Sequence, residues 1–462
     1  MIATIARKEI KEMTRDGRFR GAAVIVLGLL MAAVGMGWRQ HQDVERQHEA
    51  ARRETRENWL TQGEKNPHSA AHYGVYAFKP KVALSLVDRG IDPYTGVAVW
   101  LEAHKQNEFK YRPAQDANTL ARFGELTAAT VLQVLVPLLI VLFSFAAFAG
   151  ERENGTLRQL LSLGLTPAQL AGGKALGVAG ALGLLLVPAA LIGAFVLTSD
   201  LPRMLLLALF YLLYFGAFLG VALAISAWAK STRIALVGLL AFWIFNALIA
   251  PRAASDLSKR FYPTPSGQQF AEQLQAELTG GADHSTPAQR EAKLKEKFFK
   301  QYNVSRIEDL PVNWTGAVLT ESEEHGNKVF DQFYGKLWDQ FERQIRFQEA
   351  SSLVAPLLSV RSLSMGLAGT DFAQHRHFAT AAEQYRRYFI QVMNDDILKN
   401  AGKSGPYLRK DDLWAQVKDF EYTLPSIGWV LSQHSVALSL LSGWCLGGAL
   451  LAWWATSRLR AE

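Results

Sequence analysis

The chain holds a single cysteine, Cys445, in 462 residues. An intrachain disulfide is therefore excluded, and any large segment facing an oxidising compartment has to fold on its own core. Charge is also missing from whole stretches. Overall the chain is 49% hydrophobic and 20% charged, yet its charges crowd into some segments and vanish from others. A soluble domain interleaves them, and this segregation marks a chain made for two solvents. The net charge of +7 does not point to nucleic acid. The basic residues form no stripe interleaved with aromatics, and many flank apolar runs.

The patterns of catalysis are absent as well. A phosphate-cradling loop needs glycines around a lysine followed by Ser or Thr. Here Gly173-Lys174 is followed by Ala175, and Ala168 stands where the first glycine belongs. No H-E-x-x-H or cysteine cluster offers a metal site. His375 and His377, with Asp371 and His325 as imagined partners, lie two apart and point in different directions on a helix. Asp395 and Asp396, and Glu321, Glu323 and Glu324, read as solvated or capping carboxylates. The chain is thus expected to carry no catalytic residue, no metal and no cofactor of its own.

What the sequence does have is six apolar runs, each able to cross about 30 Å of hydrocarbon. They are Gly21 to Trp38, Leu126 to Ala149, Ala175 to Ser199, Met204 to Ala229, Ile234 to Ala250 and Ser435 to Thr456. The second is the strongest. Val131 to Phe148 holds thirteen Leu, Ile, Val or Phe residues, at about −0.3 to −0.6 kcal/mol each. The fifth, seventeen residues long, is the weakest and needs neighbouring helices or an upright setting. The first run has no small-residue cleavage site after it and reads as a retained signal anchor. Trp38, Trp228 and Trp453 or Trp454 fall at span ends, where an amphipathic ring anchors at the headgroups.

Basic residues set the expected orientation. Arg7, Lys8, Lys11, Arg15, Arg18 and Arg20 precede the first span, and Arg152 and Arg158 follow the second. Lys230 and Arg233 lie between the fourth and fifth, and Arg458 and Arg460 follow the sixth. Threading six spans puts these clusters on one side, with Arg203 the sole exception. Both termini are then cytoplasmic, and the loops 39–125 and 251–434 are extracytoplasmic. The fold class that follows is an all-α integral membrane protein. It has six transmembrane helices, an amphipathic interfacial helix over 1–20 and a mostly helical extracytoplasmic domain built from both long loops.

Several segments carry further structure. Ile2, Ile5, Ala6, Ile10 and Met13 share one helix face over 1–20. Gln40 to Leu60 should extend the first span as a helix, with Pro67 as its limit. Phe330, Phe333, Leu337, Trp338, Phe341 and Ile345 recur at helical spacing, and Phe372, Phe378, Tyr385, Tyr388 and Phe389 suggest a second apolar face. Pro263, Pro265, Pro287, Pro311 and Pro406 punctuate that domain. Gln133, Tyr211, Tyr214, Asn246 and His434 are the polar side chains that need partners in a dry setting, as helix packing or a translocation route. Packing is the better reading, because no intramembrane carboxylate or lysine accompanies them. Gly172, Gly173, Gly177, Gly180 and Gly183 let a neighbour approach the third span closely, for packing or dimerisation.

The segment after the second span reads Gly150-Glu151-Arg152-Glu153-Asn154-Gly155-Thr156-Leu157-Arg158-Gln159-Leu160-Leu161-Ser162-Leu163-Gly164. Asn154 to Thr156 can break and cap, the leucines have helical spacing, and Gly164 with Pro167 ends a short helix. Together with Gly173-Lys174, this run resembles the coupling-helix segment of ABC type-2 transporter permeases. So does the plan of an amino-terminal amphipathic helix, six spans, and a connector helix over 150–170 between the second span and the helices of 171–250. Ser359 to Asp371, followed by His375-Arg376-His377-Phe378, resembles an exported loop of unknown function found in some such permeases. Both loops are longer here than in the family's usual pattern.

The resemblance implies a multi-pass permease of the bacterial inner membrane, with both termini, including the tail 457–462, cytoplasmic. A separate cytoplasmic ABC ATPase would bind the ATP and Mg, and Glu151, Arg152, Glu153, Gly155, Thr156 and Leu157 would be the coupling residues. The other partners implied are the lipid bilayer and a second copy or related permease. The scarcity of intramembrane charge favours export of a hydrophobic or amphiphilic substrate. The alternative is a membrane-anchored interaction protein whose exported domain binds an envelope partner.

Overall fold

The computed structural model describes residues 1–112, 114, 126–196, 200–280, 285–402 and 405–460. Ser199, the end of the first long loop up to Glu125, the last two residues of the tail and the side chain of Arg18 lie outside them. Among the described residues six helices are long and apolar enough to cross a membrane, and the chain is an all-α membrane protein as the apolar runs imply. A helix α1 (Ile2–Arg15) precedes the first of these, α2 (Gly17–Leu60). The loop that follows supplies α3 (Pro67–Tyr73) and a small antiparallel sheet, β1 (Val75–Phe78), β2 (Ala98–Glu102) and β3 (Lys105–Gln106). That sheet is unforeseen by the sequence reading. Val75 pairs with Leu101 and Phe78 with Ala98, while Glu102 pairs with Lys105 across a tight turn.

The second span is α4 (Ala128–Glu153), followed by a short α5 (Thr156–Ser162). Then come α6 (Pro167–Val196), α7 (Leu201–Trp228) and α8 (Thr232–Phe261). The second loop contributes α9 (Gly267–Gly280), α10 (Pro287–Tyr302), α11 (Trp314–Ala350), α12 (Pro356–Ala368), α13 (Phe372–Asn400) and α14 (Ile427–Gln433). The last span is α15 (Ser435–Ser457).

The helices outrun the apolar runs that announce them. α2 continues through the charged stretch to Leu60, and Pro67 opens the next helix instead of ending this one. α8 passes Ala250 and ends at Phe261. Its weak apolar run is thus part of a longer rod. A π-helical turn occupies Phe245–Ile249 just before Pro251, and another occupies Val131–Leu135 just before Pro137. A proline cannot donate its amide and clashes with the preceding turn, so the wider turn lets the helix continue.

One core runs through the bundle, with Leu30, Ile140, Leu182, Phe218, Leu239 and Leu441 among its buried side chains. It also contains Leu357, Val360, Leu363 and Leu367 of α12. The stretch read as exported loop thus seats a helix among the spans, against α7 and α15. Thirteen residues are too few to span a bilayer, and α12 caps the bundle from the domain side. The domain has a separate core, where Trp59 and Trp414 meet edge-on beside Phe389 and Phe378 is fully buried. The aromatic faces predicted over α11 and α13 lie within those two helices, which pack on each other.

Candidate functional site

At the bundle end away from the domain, the chain between α4 and α6 makes a network of charge contacts. Gly155 is left-handed, φ +72, and turns the end of α4 into α5. Three consecutive side chains before it go to three places. Glu151 accepts from Lys174 Nζ of α6 at 2.9 Å and from Thr156 Oγ1, and Lys8 of α1 lies 3.8 Å away. Arg152 donates to the carbonyls of Ala227, at 2.8 Å, and Ala229 at the C-terminal end of α7. Such a cation satisfies the orphan carbonyls and the negative end of the dipole. Glu153 accepts from the amide of Thr232 at 3.0 Å and from its hydroxyl at 2.8 Å, opposite the start of α8. Adjacent residues thus hold both sides of the α7–α8 connection.

Lys174 also donates to Glu9 of α1 at 2.9 Å. The third span was expected to begin at Ala175 and to contain no charge. Instead α6 begins at Pro167, which brings Lys174 into the helix and buries it to 3% exposure, with Glu9 at 9%. The pairing explains how charges survive there. α1 lies along α6 because the glycines leave room: a Cβ on Gly173 would stand 2.5 Å from Ile5, one on Gly177 2.5 Å from Glu9, and one on Gly180 2.5 Å from Ile10. Of the glycine face foreseen for packing or dimerisation, this part is filled by the chain's own first helix. Gly172 meets Ile2 more loosely and Gly183 faces open space.

Leu157 is buried with Phe148, Leu170, Ala227 and Leu459, and Ile5 packs on the same cluster. The segments carrying the four basic clusters thus meet at one end of the bundle. Arg203 sits at the other end, buried, donating to the carbonyls of Leu367 and Pro425 at 3.2 and 2.9 Å. On the outer side of α5, Arg158, Gln159 and Ser162 are exposed, and Leu163 beyond it is 79% exposed.

Four of the five polar residues expected in the membrane come together. Gln133 donates to the Tyr211 hydroxyl at 3.1 Å, and Tyr214 donates to the Gln133 carbonyl at 2.9 Å. Asn246 donates to the Tyr214 hydroxyl at 3.2 Å and accepts from the Leu357 amide at 3.1 Å. Gln133 and Asn246 each sit on one of the two π-helical turns, a location frequent at functional sites. Tyr211 reaches Ser364 of α12 at 3.3 Å, and Ser364 donates to Asp88 at 2.6 Å. Asp88, from the first long loop, is the carboxylate that the apolar runs did not reveal. Burial pushes its carboxyl above the usual range.

His434 stands apart. Its Nδ1 lies 2.7 Å from Glu349 and its Nε2 2.7 Å from Asp371, and Ser362 is 3.0 Å away. Burial alone would lower this imidazole, but the hydrogen bonds to Asp371 and Glu349 outweigh it and raise its pKa to about 9. Asp88, Gln133, Glu349, Arg361, Asp371 and His434 all line one cavity of about 470 Å3 between the bundle and the domain.

Comparison with known families decides the identity of this architecture. A model described as ABC-2 family transporter protein matches residues 3–280. The chain belongs to the ABC-2 transporter family. A domain of unknown function, DUF3526, matches residues 268–423. No curated protein matches the chain. The ABC-2 match covers α1 and the first five spans, and the extra domain is inserted before the sixth. This ABC-2 permease is therefore a multi-pass membrane component of a transporter, with Glu151 to Leu157 inside the matched region.

Proposed function

We propose that the chain is the permease subunit of an ATP-driven exporter in a bacterial inner membrane, with both termini cytoplasmic. In this reading it works as a pair with a second copy or related permease, and two cytoplasmic ATPase subunits bind the ATP and Mg. The observation that carries the proposal is the division of Glu151, Arg152 and Glu153 among α6, the end of α7 and the start of α8. A push on α5 is delivered to several spans at once through charge contacts, as a rigid-body or hinge movement requires. Arg158, Gln159, Ser162 and Leu163 form the outer face on which a motor would dock.

The cargo in this reading is a hydrophobic or amphiphilic molecule. The cavity between bundle and domain supports a polar end group for it, since Asp88, Arg361 and His434 face that space. A protein that only anchored an envelope-binding domain would need one span and no linked connector.

The experiment is co-expression with the cognate ATPase and co-purification in detergent. Leu163→Asp with Arg158→Glu should abolish the complex while leaving the permease's melting temperature unchanged, because neither side chain is buried. A complex of undiminished yield with this variant would refute docking at α5.

A further inference from the structure

Three imidazoles converge within the first long loop. Asn66 accepts from the His68 amide at 2.9 Å and caps α3, with Pro67 at its first position. His68 and His72 are thereby four residues apart on one helix face. His104 comes from the turn between β2 and β3, where it holds φ +62. The Nε2 atoms of His72 and His104 each lie 3.2 Å from the Nε2 of His68, and all three ligand atoms lie within 4.8 Å of one another.

Ring nitrogens so placed cannot all be satisfied by protons. Each contact needs one N–H and one lone pair, yet two nitrogens aim at the same His68 atom. A cation at the centre satisfies all three. With zinc–nitrogen bonds of about 2.0–2.1 Å, tetrahedral ligands stand about 3.3 Å apart, close to the 3.2 Å of both contacts to His68.

The surroundings fit the same reading. Glu323 of α11 accepts from the His104 backbone amide at 2.8 Å, and its Oε1 lies 2.6 Å from His104 Nδ1. The proton is thereby held at Nδ1, and the Nε2 lone pair is turned inward. This is the carboxylate–histidine relay that orients metal ligands. The sequence suggests a solvated or capping carboxylate at Glu323. It is buried, and its other oxygen is 3.2 Å from the buried Arg386. The left-handed backbone at His104 costs energy for a residue other than glycine, and Glu323 grips that residue at two points.

From this geometry we infer a binding site for a zinc-class divalent transition metal at His68, His72 and His104, with Glu323 as the positioning residue. Three neutral nitrogens suit zinc and its neighbours and not magnesium or calcium, which take oxygen. His72 is exposed, so a fourth coordination position is open to water or an incoming ligand. Both long loops contribute, since the imidazoles come from the first and the positioning carboxylate from the second.

The test uses the full chain in detergent, without a polyhistidine tag, stripped by chelator and titrated with Zn2+ by calorimetry. One ion per chain is expected. His72→Gln, an exposed position that leaves the fold intact, should lower affinity by more than about 10–100-fold, and Glu323→Gln by about 10–100-fold. His377→Gln, far from the triad, should change nothing. Co2+ should give the intense visible absorption of a low-coordinate site in the wild type and lose it in His72→Gln. The inference is overturned if wild type takes up no Zn2+, or if His72→Gln binds it as tightly as wild type.

Discussion

Arg152 and Glu153, neighbours in sequence, hold opposite sides of one helix connection: the first donates to the carbonyls of Ala227 and Ala229, the second accepts from Thr232. The pair makes the α7–α8 turn a passenger of α4. Replacing Arg152 by alanine leaves two terminal carbonyls without a charged donor. We expect a loss of about 1.5–3 kcal/mol, read as a lower melting temperature in detergent. Glu153→Gln keeps one acceptor and should cost less than about 1 kcal/mol.

The ion cluster of Glu9, Lys174 and Glu151 makes a sharper prediction. Lys174→Met removes the buried cation 2.9 Å from both carboxylates and leaves them the half-exposed Lys8, farther off at 3.7 and 3.8 Å. Breaking a buried pair from one side costs about 3–5 kcal/mol. The triple change Glu9→Gln, Lys174→Met, Glu151→Gln should recover most of that loss. A triple variant no more stable than Lys174→Met would show that the charges are not coupled.

Lengthening a glycine tests the seat of α1. Gly173→Val places new atoms where Ile5 already stands, so α1 must shift or leave. Overpacking of this kind costs about 1–3 kcal/mol. Labelling of a cysteine placed at Ile2 should speed up in Gly173→Val, in a background where Cys445 is serine. Gly183→Val, facing open space, should leave the rate as it is.

The His434 cluster predicts a pH dependence with a definite sign. Its folded pKa of about 9 lies above the unfolded value of about 6.5. The stabilisation is therefore complete below about pH 6.5 and lost as pH rises through 9, about 3 kcal/mol at most. Asp371 runs the other way. Burial would raise its carboxyl, but the contact with His434 holds it below the usual range, so its share is lost in acid. The melting temperature should fall between pH 7 and pH 9.5 in wild type. That slope should largely disappear in His434→Gln.

The spans were legible because length and apolarity alone specify them, and no tertiary contact is needed to see Val131 to Phe148 as a membrane helix. α12 was not legible. Ser359, Arg361, Ser362 and Ser364 interrupt its leucines, so no run approaches span length, and its place depends on partners far along the chain. The same holds for the connector between the second and third spans. Glu151 to Leu157 stood out as a motif, but 165 positions separate Lys174 from Glu9, and no local pattern reveals that bond. Lys174 escaped because the predicted span started one residue after it. His68 and His72 carried a signal in their four-residue spacing. His104 joins them only through the β2–β3 strand pairing, which no local pattern announces.

The unbroken α2 carries one further consequence. Its 44 residues make a rod about 66 Å long, with one end beside α1 and the other fixed by Trp59, which donates to the Trp414 carbonyl at 2.9 Å. A stiff rod magnifies rotation. A tilt of about 5° at the foot swings the far tip by about 6 Å over such a length. Movement begun at α1 would therefore arrive in the domain enlarged, with the foot of α2 as its pivot.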